Sequence, residues 1–253
     1  MMKSHAMKIR ISRGTGEAKK NAPRKVAIPD SVQDIVKRLS KKYELDFEAV
    51  TVRGREFYFL HLADIEPLVA GKDIFANASE FPFWVKIWEA SMVMANLMAA
   101  MPVKQDRRIL ELGSGLAAAG IVGAAFGHDV TITDYEQEIM DFVHVSAAVN
   151  GCEAQAHTAT LDWLNPSDLG GKFDVIIGSE VLFHERFFQP LLDCFEKYLK
   201  PDGVIYMAHD RRRKSLAPFL RMCEDRYQIA AQQQVMKSKG ETLKVVLTRL
   251  LPK

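Results

Sequence analysis

From residue 108 to the C-terminus, short β-branched and apolar runs alternate with stretches of helical period, and that alternation leaves few folds open. Strands are expected at Arg108–Leu112, 129–133, 156–161, 173–178 and 204–208, with helices near 116–126, 136–149, 186–199 and 214–225. Pro201-Asp-Gly203 reads as a turn. Strand–helix alternation implies a parallel sheet covered on both faces. Two last strands, 227–235 and 243–250, have only a short polar connection at 237–241 and should be antiparallel. The fold class expected is α/β: a seven-stranded, mostly parallel, doubly wound sheet ending in an antiparallel hairpin.

Upstream the pattern is different. Asp30 with Gln33 has capping-box spacing, and Val32, Ile35, Val36 and Leu39 follow at helical spacing, so a helix is expected over 31–43. Runs 47–52 and 56–62, joined at Arg53-Gly54, read as a β-hairpin. Residues 63–80 read as a connector, and a further helix covers about 89–101. The domain reading is therefore an arm at 1–28, a helix and hairpin extension at 29–80, and the core at 81–253. The extension is expected to pack on the core and help shape the substrate entrance.

Charge is unevenly placed. Residues 1–25 hold eight Lys or Arg against the single acid Glu17, a surplus of seven. The whole chain is net +2, so the remainder is net −5. The arm lacks an apolar period and is expected to be disordered. Such an arm keeps nucleic acid in view as a partner, but the aromatic-basic interleaving of single-strand binders is missing. No apolar run reaches the ~18 residues of a membrane span, and there is no signal-peptide core. Three scattered cysteines and scattered histidines argue against a disulfide framework or a metal site. A cytoplasmic protein without membrane or metal is expected.

The segment that carries chemistry is Arg108-Ile-Leu-Glu-Leu-Gly-Ser-Gly-Leu-Ala-Ala-Ala-Gly120. Gly113 and Gly115 allow backbone N–H groups to approach a ligand, at a helix N-terminus that favours an anion. Gly113-x-Gly115-x-x-Ala118 also satisfies the dinucleotide fingerprint. Glu111, two residues before the first glycine, would repel a pyrophosphate and suits a ligand carrying an ammonium, which favours S-adenosylmethionine. Asp134, 19 residues past Gly115 at the end of the second strand, is placed to accept ribose hydroxyls. Leu161-Asp162-Trp163 ends the third strand, where a carboxylate and an indole could hold an adenine; simple packing is the plainer alternative for Trp163.

Glu111-Leu-Gly-Ser-Gly115, Val130-Thr-Ile-Thr-Asp134, Leu161-Asp-Trp163, Phe173-Asp-Val-Ile-Ile-Gly-Ser-Glu-Val-Leu-Phe183 and Ile87-Trp88-Glu-Ala-Ser91 occur in one order. Together they resemble methyltransferase family 16, within the class I, Rossmann-like methyltransferases, many of whose members methylate lysines of specific proteins. The resemblance implies S-adenosylmethionine as cofactor and a protein as substrate. It implies that Trp88 lies beside the cofactor, that Glu111, Gly113, Asp134 and Asp162 bind it, and that Ser179 lines the pocket. Ser114, Gly115, Tyr135 and Trp163 complete the cofactor-binding set. Glu180-Val-Leu-Phe183 matches the family's acid-x-x-aromatic motif, so Glu180 and Phe183 are the expected catalytic pair where the amine meets the methyl group. Departures are Ala117 for a third glycine, acceptable if its φ is negative, Glu180 where Asp is commoner, and Phe183 where Tyr is common.

Glu180 is expected to orient the amine rather than serve as main base, with Phe183 as an apolar wall. His184 and His209, near strand ends, could relay a proton, though a surface or supporting place is the plainer reading. Arg211-Arg-Arg-Lys214 could touch an acidic substrate or simply be solvated. Alternatives left open are a methyltransferase for a small molecule or nucleic acid, a non-catalytic module that keeps the cofactor pocket, and a nicotinamide oxidoreductase.

Overall fold

The computed structural model describes residues 8–9, 11–13, 26–69, 82–238 and 241–253. In chain order the strands are β1 (Lys8–Ile9), β2 (Ile11–Arg13), β3 (Val26–Ala27), β4 (Leu45–Val52), β5 (Arg55–Leu62), β6 (Arg108–Leu112), β7 (Asp129–Asp134), β8 (Ala156–Thr160), β9 (Phe173–Ser179), β10 (Leu199–Asp210), β11 (Tyr227–Ser238) and β12 (Glu241–Pro252). The helices are α1 (Gln33–Leu39), α2 (Glu66–Val69), α3 (Glu89–Ala100), α4 (Ala118–Ala125), α5 (Gln137–Val149), α6 (Phe188–Tyr198) and α7 (Leu216–Cys223).

The main sheet has seven strands in the order β11-β12-β10-β9-β6-β7-β8. β6 through β10 pair parallel, and β12 runs antiparallel to both β10 and β11. Successive residues of the parallel strands are buried on opposite faces. Ile109, Val175 and Ile177 belong to one apolar cluster, with Met94, Met98 and Phe142, while Leu110 and Ile176 belong to another, with Leu191, Phe195 and Phe219. This is the expected doubly wound α/β sheet with its terminal hairpin. The order turns back at β6, flanked by β7 and β9, and ligands of open α/β sheets bind beyond the strand ends at such a point.

Several expectations change locally. The 201–203 turn is absorbed into β10, which carries a register irregularity between Leu199 and Val204. Asp30 does not cap a helix through the backbone. It opens a 3-10 turn, Asp30–Val32, and its Oδ1 accepts from Gln33 Nε2 at 2.6 Å. The arm was expected to be disordered, yet its described residues pair: β1 with β3, and β2 in parallel with β4. Short strands flanking a formed hairpin gain ladder bonds that a free arm lacks. The rest of the arm, and residues 70–80 of the connector, lie outside the described residues.

The β4–β5 hairpin docks on α5 through side chains that satisfy the edge of β5. Tyr58 N donates to Asn150 Oδ1 at 3.1 Å, Asn150 Nδ2 donates to Tyr58 O at 2.7 Å, and Leu60 N donates to Ser146 Oγ at 2.9 Å. Capping an open strand edge in this way removes its unpaired backbone groups. α1 adds an Arg38–Asp141 ion pair at 2.6 Å, and Lys42 and Tyr43 both bond Glu138.

Candidate functional site

A cavity of about 580 Å³ opens at the C-terminal ends of β6 to β9, in the range of a cofactor-sized ligand. Each of these four strands delivers its last residues, or those just after it, there. β6 runs into the turn Gly113-Ser114-Gly115, β7 ends in Asp134 and Tyr135, β8 is followed by Asp162 and Trp163, and β9 ends in Ser179 followed by Glu180 and Phe183. Trp88, at the start of α3, closes the opposite wall. Every residue expected in the site except Glu111 lines this cavity.

The turn is held from below. Gly113 has φ 59°, and a Cβ there would lie 3.0 Å from the Trp163 ring, so glycine lets the indole close over the turn. Ser114 N donates to Thr133 O at 3.0 Å, and Thr133 Oγ1 donates to Glu111 O at 2.6 Å. Glu111 is 2% exposed, and its Oε2 accepts from Gly120 N at 3.0 Å. It therefore sits behind the turn and fixes the first turn of α4. Burial pushes its pKa up to about 8 against the pull of the Gly120 N–H, with the Asp134 charge adding to the rise.

Ala117 departs from expectation. Its φ is 56° and ψ 40°, in the left-handed region rather than at negative φ. An L-residue there costs roughly 1–2 kcal/mol. The turn imposes this conformation, with Ala117 N donating to Ser114 O at 2.8 Å and Ala117 O accepting from Ile121 N at 2.9 Å.

Asp134 accepts from Gly115 N and Tyr135 N, each at 2.7 Å, one bond per oxygen. This orients the carboxylate and leaves lone pairs toward the cavity. Burial raises its pKa, opposed by those two N–H groups. Asp162 Oδ1 accepts from Leu164 N at 2.9 Å. Ser179 Oγ is buried on the cavity wall with no hydrogen-bond partner among the described residues. Unsatisfied buried hydroxyls are uncommon, and a polar ligand group in the cavity would satisfy this one. With the glycine turn, the oriented Asp134 and the nearby Trp163, these residues fit a nucleoside that carries an amino acid.

Beyond the acidic end lies an aromatic group. Phe83 lies 6.1 Å from Trp88 and 6.1 Å from Phe183, centroid to centroid, and Trp163 lies 6.5 Å from Phe183. Trp88 Nε1 donates to Phe83 O at 2.7 Å, which locks the indole to the 3-10 turn Phe83–Val85. Phe187 lies 5.0 Å from Phe183 and edge-on to Trp163 at 5.9 Å. Trp163 is thus both packed and cavity-lining. Phe83, Glu136, Glu138 and Phe187 line the cavity without having been expected there. The signal for Phe83 was the aromatic run just before Trp88; for Glu136 and Glu138 it was their place directly after Asp134.

Glu180 is held differently from expectation. Its Oε1 accepts from Asp210 N and its Oε2 from Arg213 Nε, both at 2.6 Å, and its backbone is left-handed with φ 57°. Each oxygen already has a partner, so the carboxylate first ties the end of β10 and the following loop to the cavity wall. Neither histidine lines the cavity. His184 is exposed, and its Nδ1 accepts from Arg186 N at 3.1 Å. His209 is fully buried, neither ring nitrogen is bonded among the described residues, and burial with the Arg213 charge pushes its pKa down to about 3. Among the described residues no cluster of His, Cys, Asp or Glu could hold a metal ion.

Comparison with known proteins agrees with this geometry. The chain is similar to EEF1A lysine methyltransferase 3 of Mus musculus, 29% identical over 132 residues that cover 50% of this chain and 56% of that protein. It is similar to protein N-lysine methyltransferase METTL21A of Danio rerio, 28% identical over 56% of this chain and 68% of that one. It is also 27% identical to histidine protein methyltransferase 1 homolog of Dictyostelium discoideum over 57% of this chain and 48% of that protein. The chain thus spans about half to two thirds of the relatives it matches. Among solved structures it shares the fold of precorrin-6y C5,15-methyltransferase from Geobacter metallireducens, with TM-score 0.53 and 14% identity over 68% of this chain and 92% of that chain. It also shares the fold of P. horikoshii TYW2 in complex with MeSAdo, with TM-score 0.51 and 14% identity over 88% of this chain and 82% of that chain. A family model described as lysine methyltransferase matches residues 76–226, more than half of the sequence, and the chain belongs to that family.

Proposed function

We propose that this chain transfers a methyl group from S-adenosylmethionine to a lysine amine of a protein substrate. One observation carries the reading: a single cavity joins a glycine turn and two oriented carboxylates, Asp134 and Asp162, to an aromatic group made by Phe83, Trp88 and Phe183. The first part suits the nucleoside and amino-acid ends of the cofactor, and the second suits an amine.

When bound, S-adenosylmethionine supplies an activated methyl on a cationic sulfur. Gly113, Ser114 and Gly115 would line its amino-acid end, Asp134 would accept from the ribose hydroxyls, and Asp162 with Trp163 would hold the base. The residues facing the amine have two tasks. They must align its lone pair, a positioning task, and keep it unprotonated. Deprotonating a lysine with its ordinary pKa near 10.4 at pH 7 costs about 4.6 kcal/mol. An aromatic wall that excludes water lowers this cost, because desolvation disfavours the ammonium. Glu180 acts as a positioning residue that holds Asp210 and Arg213 beside that wall. The buried free cysteines Cys152, Cys194 and Cys223 support a reducing compartment such as the cytoplasm. No described helix is long and apolar enough to cross a membrane.

The test is transfer from methyl-labelled S-adenosylmethionine into an extract of cells lacking this enzyme, followed by acid hydrolysis of the labelled protein. Methyl-lysine from the wild type, and none from Asp134→Ala, is the expected result. Label recovered as methyl-histidine would move the acceptor to an imidazole. Label that nuclease removes, or label confined to small molecules, would refute the protein-lysine reading.

A further inference from the structure

The segment before α3 carries a lysine into the site. Val85 and Ile87, 7% and 8% exposed, anchor the chain on either side of Lys86. Lys86 has extended backbone, φ −132° and ψ 144°, so its side chain leaves away from these two neighbours and on the same side as Trp88. The indole is fixed, since Trp88 Nε1 donates to Phe83 O. Lys86 Nζ stands over that ring, 4.6 Å from its centroid. Its ion-pair partner is Glu89 at 4.0 Å, the outer limit of such a contact, and with the lysine side chain 45% exposed the pair holds it weakly. Lys86, Trp88 and Glu180 line both the cofactor cavity and an adjoining cleft of about 390 Å³, so this amine stands where the two spaces meet. No other described lysine lines either space.

Trp88 belongs to the aromatic group that the methyl-transfer reading assigns to the target amine, so the chain holds an amine of its own on that group. A flexible four-carbon stem lets Nζ turn from the ring toward the methyl of the cofactor. A tethered amine meets the site at an effective concentration of roughly millimolar order, with no encounter step. Resting on that reading, we propose that Lys86 is a site of self-methylation, a lysine modified by the chain that carries it. The ammonium first gives a proton to water, which reaches the half-exposed side chain. The Nζ lone pair then forms a bond to the methyl carbon. The carbon–sulfur bond breaks and its electron pair stays on sulfur, leaving neutral S-adenosylhomocysteine. Aromatic faces hold methylated ammonium groups well, so the product keeps its place on Trp88.

The test incubates the full chain with S-adenosylmethionine and cleaves it after glutamate. Residues 81–89 then come off as one peptide whose single lysine is Lys86. Mass spectrometry should find that peptide heavier by one methylene per transfer, at a fractional rate unchanged when the chain is diluted. Lys86→Arg and Asp134→Ala should show no gain there. An unmodified Lys86, or a rate that falls in proportion to dilution, would overturn the assignment. A binding measurement reads the same geometry without turnover. With S-adenosylhomocysteine present, a short fluorescein-labelled peptide with one lysine should bind Lys86→Met about threefold more tightly than wild type, because a cation–π contact of ordinary strength keeps the wild-type ring occupied. Equal or weaker binding would also overturn the assignment. The labelled-extract assay, with extract proteins separated from the added chain, tells the two readings apart. If extract proteins gain methyl-lysine and Lys86 gains nothing, self-methylation fails alone. If neither gains any, the methyl-transfer reading fails and self-methylation with it.

Discussion

Replacing Glu111 by glutamine tests whether the buried acid behind the glycine turn is protonated at neutral pH. The carboxyl titrates at about 8 in the fold, against an ordinary 4.5, chiefly because burial disfavours its charge. The folded state therefore holds this proton more tightly than the unfolded state. The contribution to stability is full below about 4.5 and is lost as pH rises toward 8. Where the two states differ by one whole proton, the slope is about 1.4 kcal/mol per pH unit. His209 acts in the opposite direction. Its pKa is pushed down from 6.5 to about 3, so its contribution is present above about 6.5 and lost as pH falls. Below 6.5 the two slopes oppose each other. Between about 6.5 and 8 His209 no longer opposes it, and through Glu111 the wild type should lose about 2 kcal/mol across that window. Glutamine keeps an acceptor for the Gly120 N–H and has no charge to gain. Urea unfolding at steps through this window should show the wild type falling by that amount relative to Glu111→Gln. Parallel curves would refute the reasoning, because they would mean that Glu111 is ionised throughout.

Gly120→Ala would place a Cβ 2.2 Å from Glu111 Oε2 and 2.7 Å from Ile132, so overpacking should cost about 3 kcal/mol and lower Tm; an unchanged melt would contradict the packing. Glu180→Gln should lower kcat far more than it weakens cofactor binding, and Arg213→Gln should reproduce much of that loss. The pair should be non-additive by about 1–3 kcal/mol in a double-mutant cycle on kcat, whereas additive losses would dissolve the positioning role. Asn150→Ala leaves the Tyr58 N–H and C=O without their side-chain partners and should cost about 2 kcal/mol in chemical denaturation; a loss near zero would show that the β5 edge needs no cover.

The inner strands of the main sheet were legible because they are buried on both faces and read as apolar runs, such as Val175 to Ile177 in β9. The cavity was legible for the same topological reason, since the strand ends that carry Gly113, Asp134, Asp162 and Ser179 must meet beyond one sheet edge. What escaped the sequence lacks a period. The 3-10 turn that carries Phe83 is too short to show one. The ion pair of Glu180 joins residues 33 apart, and no spacing rule reports it. Glu111 was placed by charge on the ligand's side of the turn, while its bond to Gly120 draws it behind. The left-handed Ala117 shows that the turn geometry outweighs the preference of the residue filling it.

Glu138 belongs at once to the cofactor cavity wall and to the contacts made by Lys42 and Tyr43 of the N-terminal unit. Those contacts hold its carboxyl below the ordinary glutamate range despite its partial burial. Any ligand whose affinity depends on where Glu138 points is therefore in thermodynamic linkage with the seating of that unit on α5. The linkage is reciprocal: whatever factor the seat applies to the affinity of such a ligand, the bound ligand applies to the seat. The hairpin and helix ahead of the core would thus act on such a ligand as the far arm of a balance whose pivot is one carboxylate.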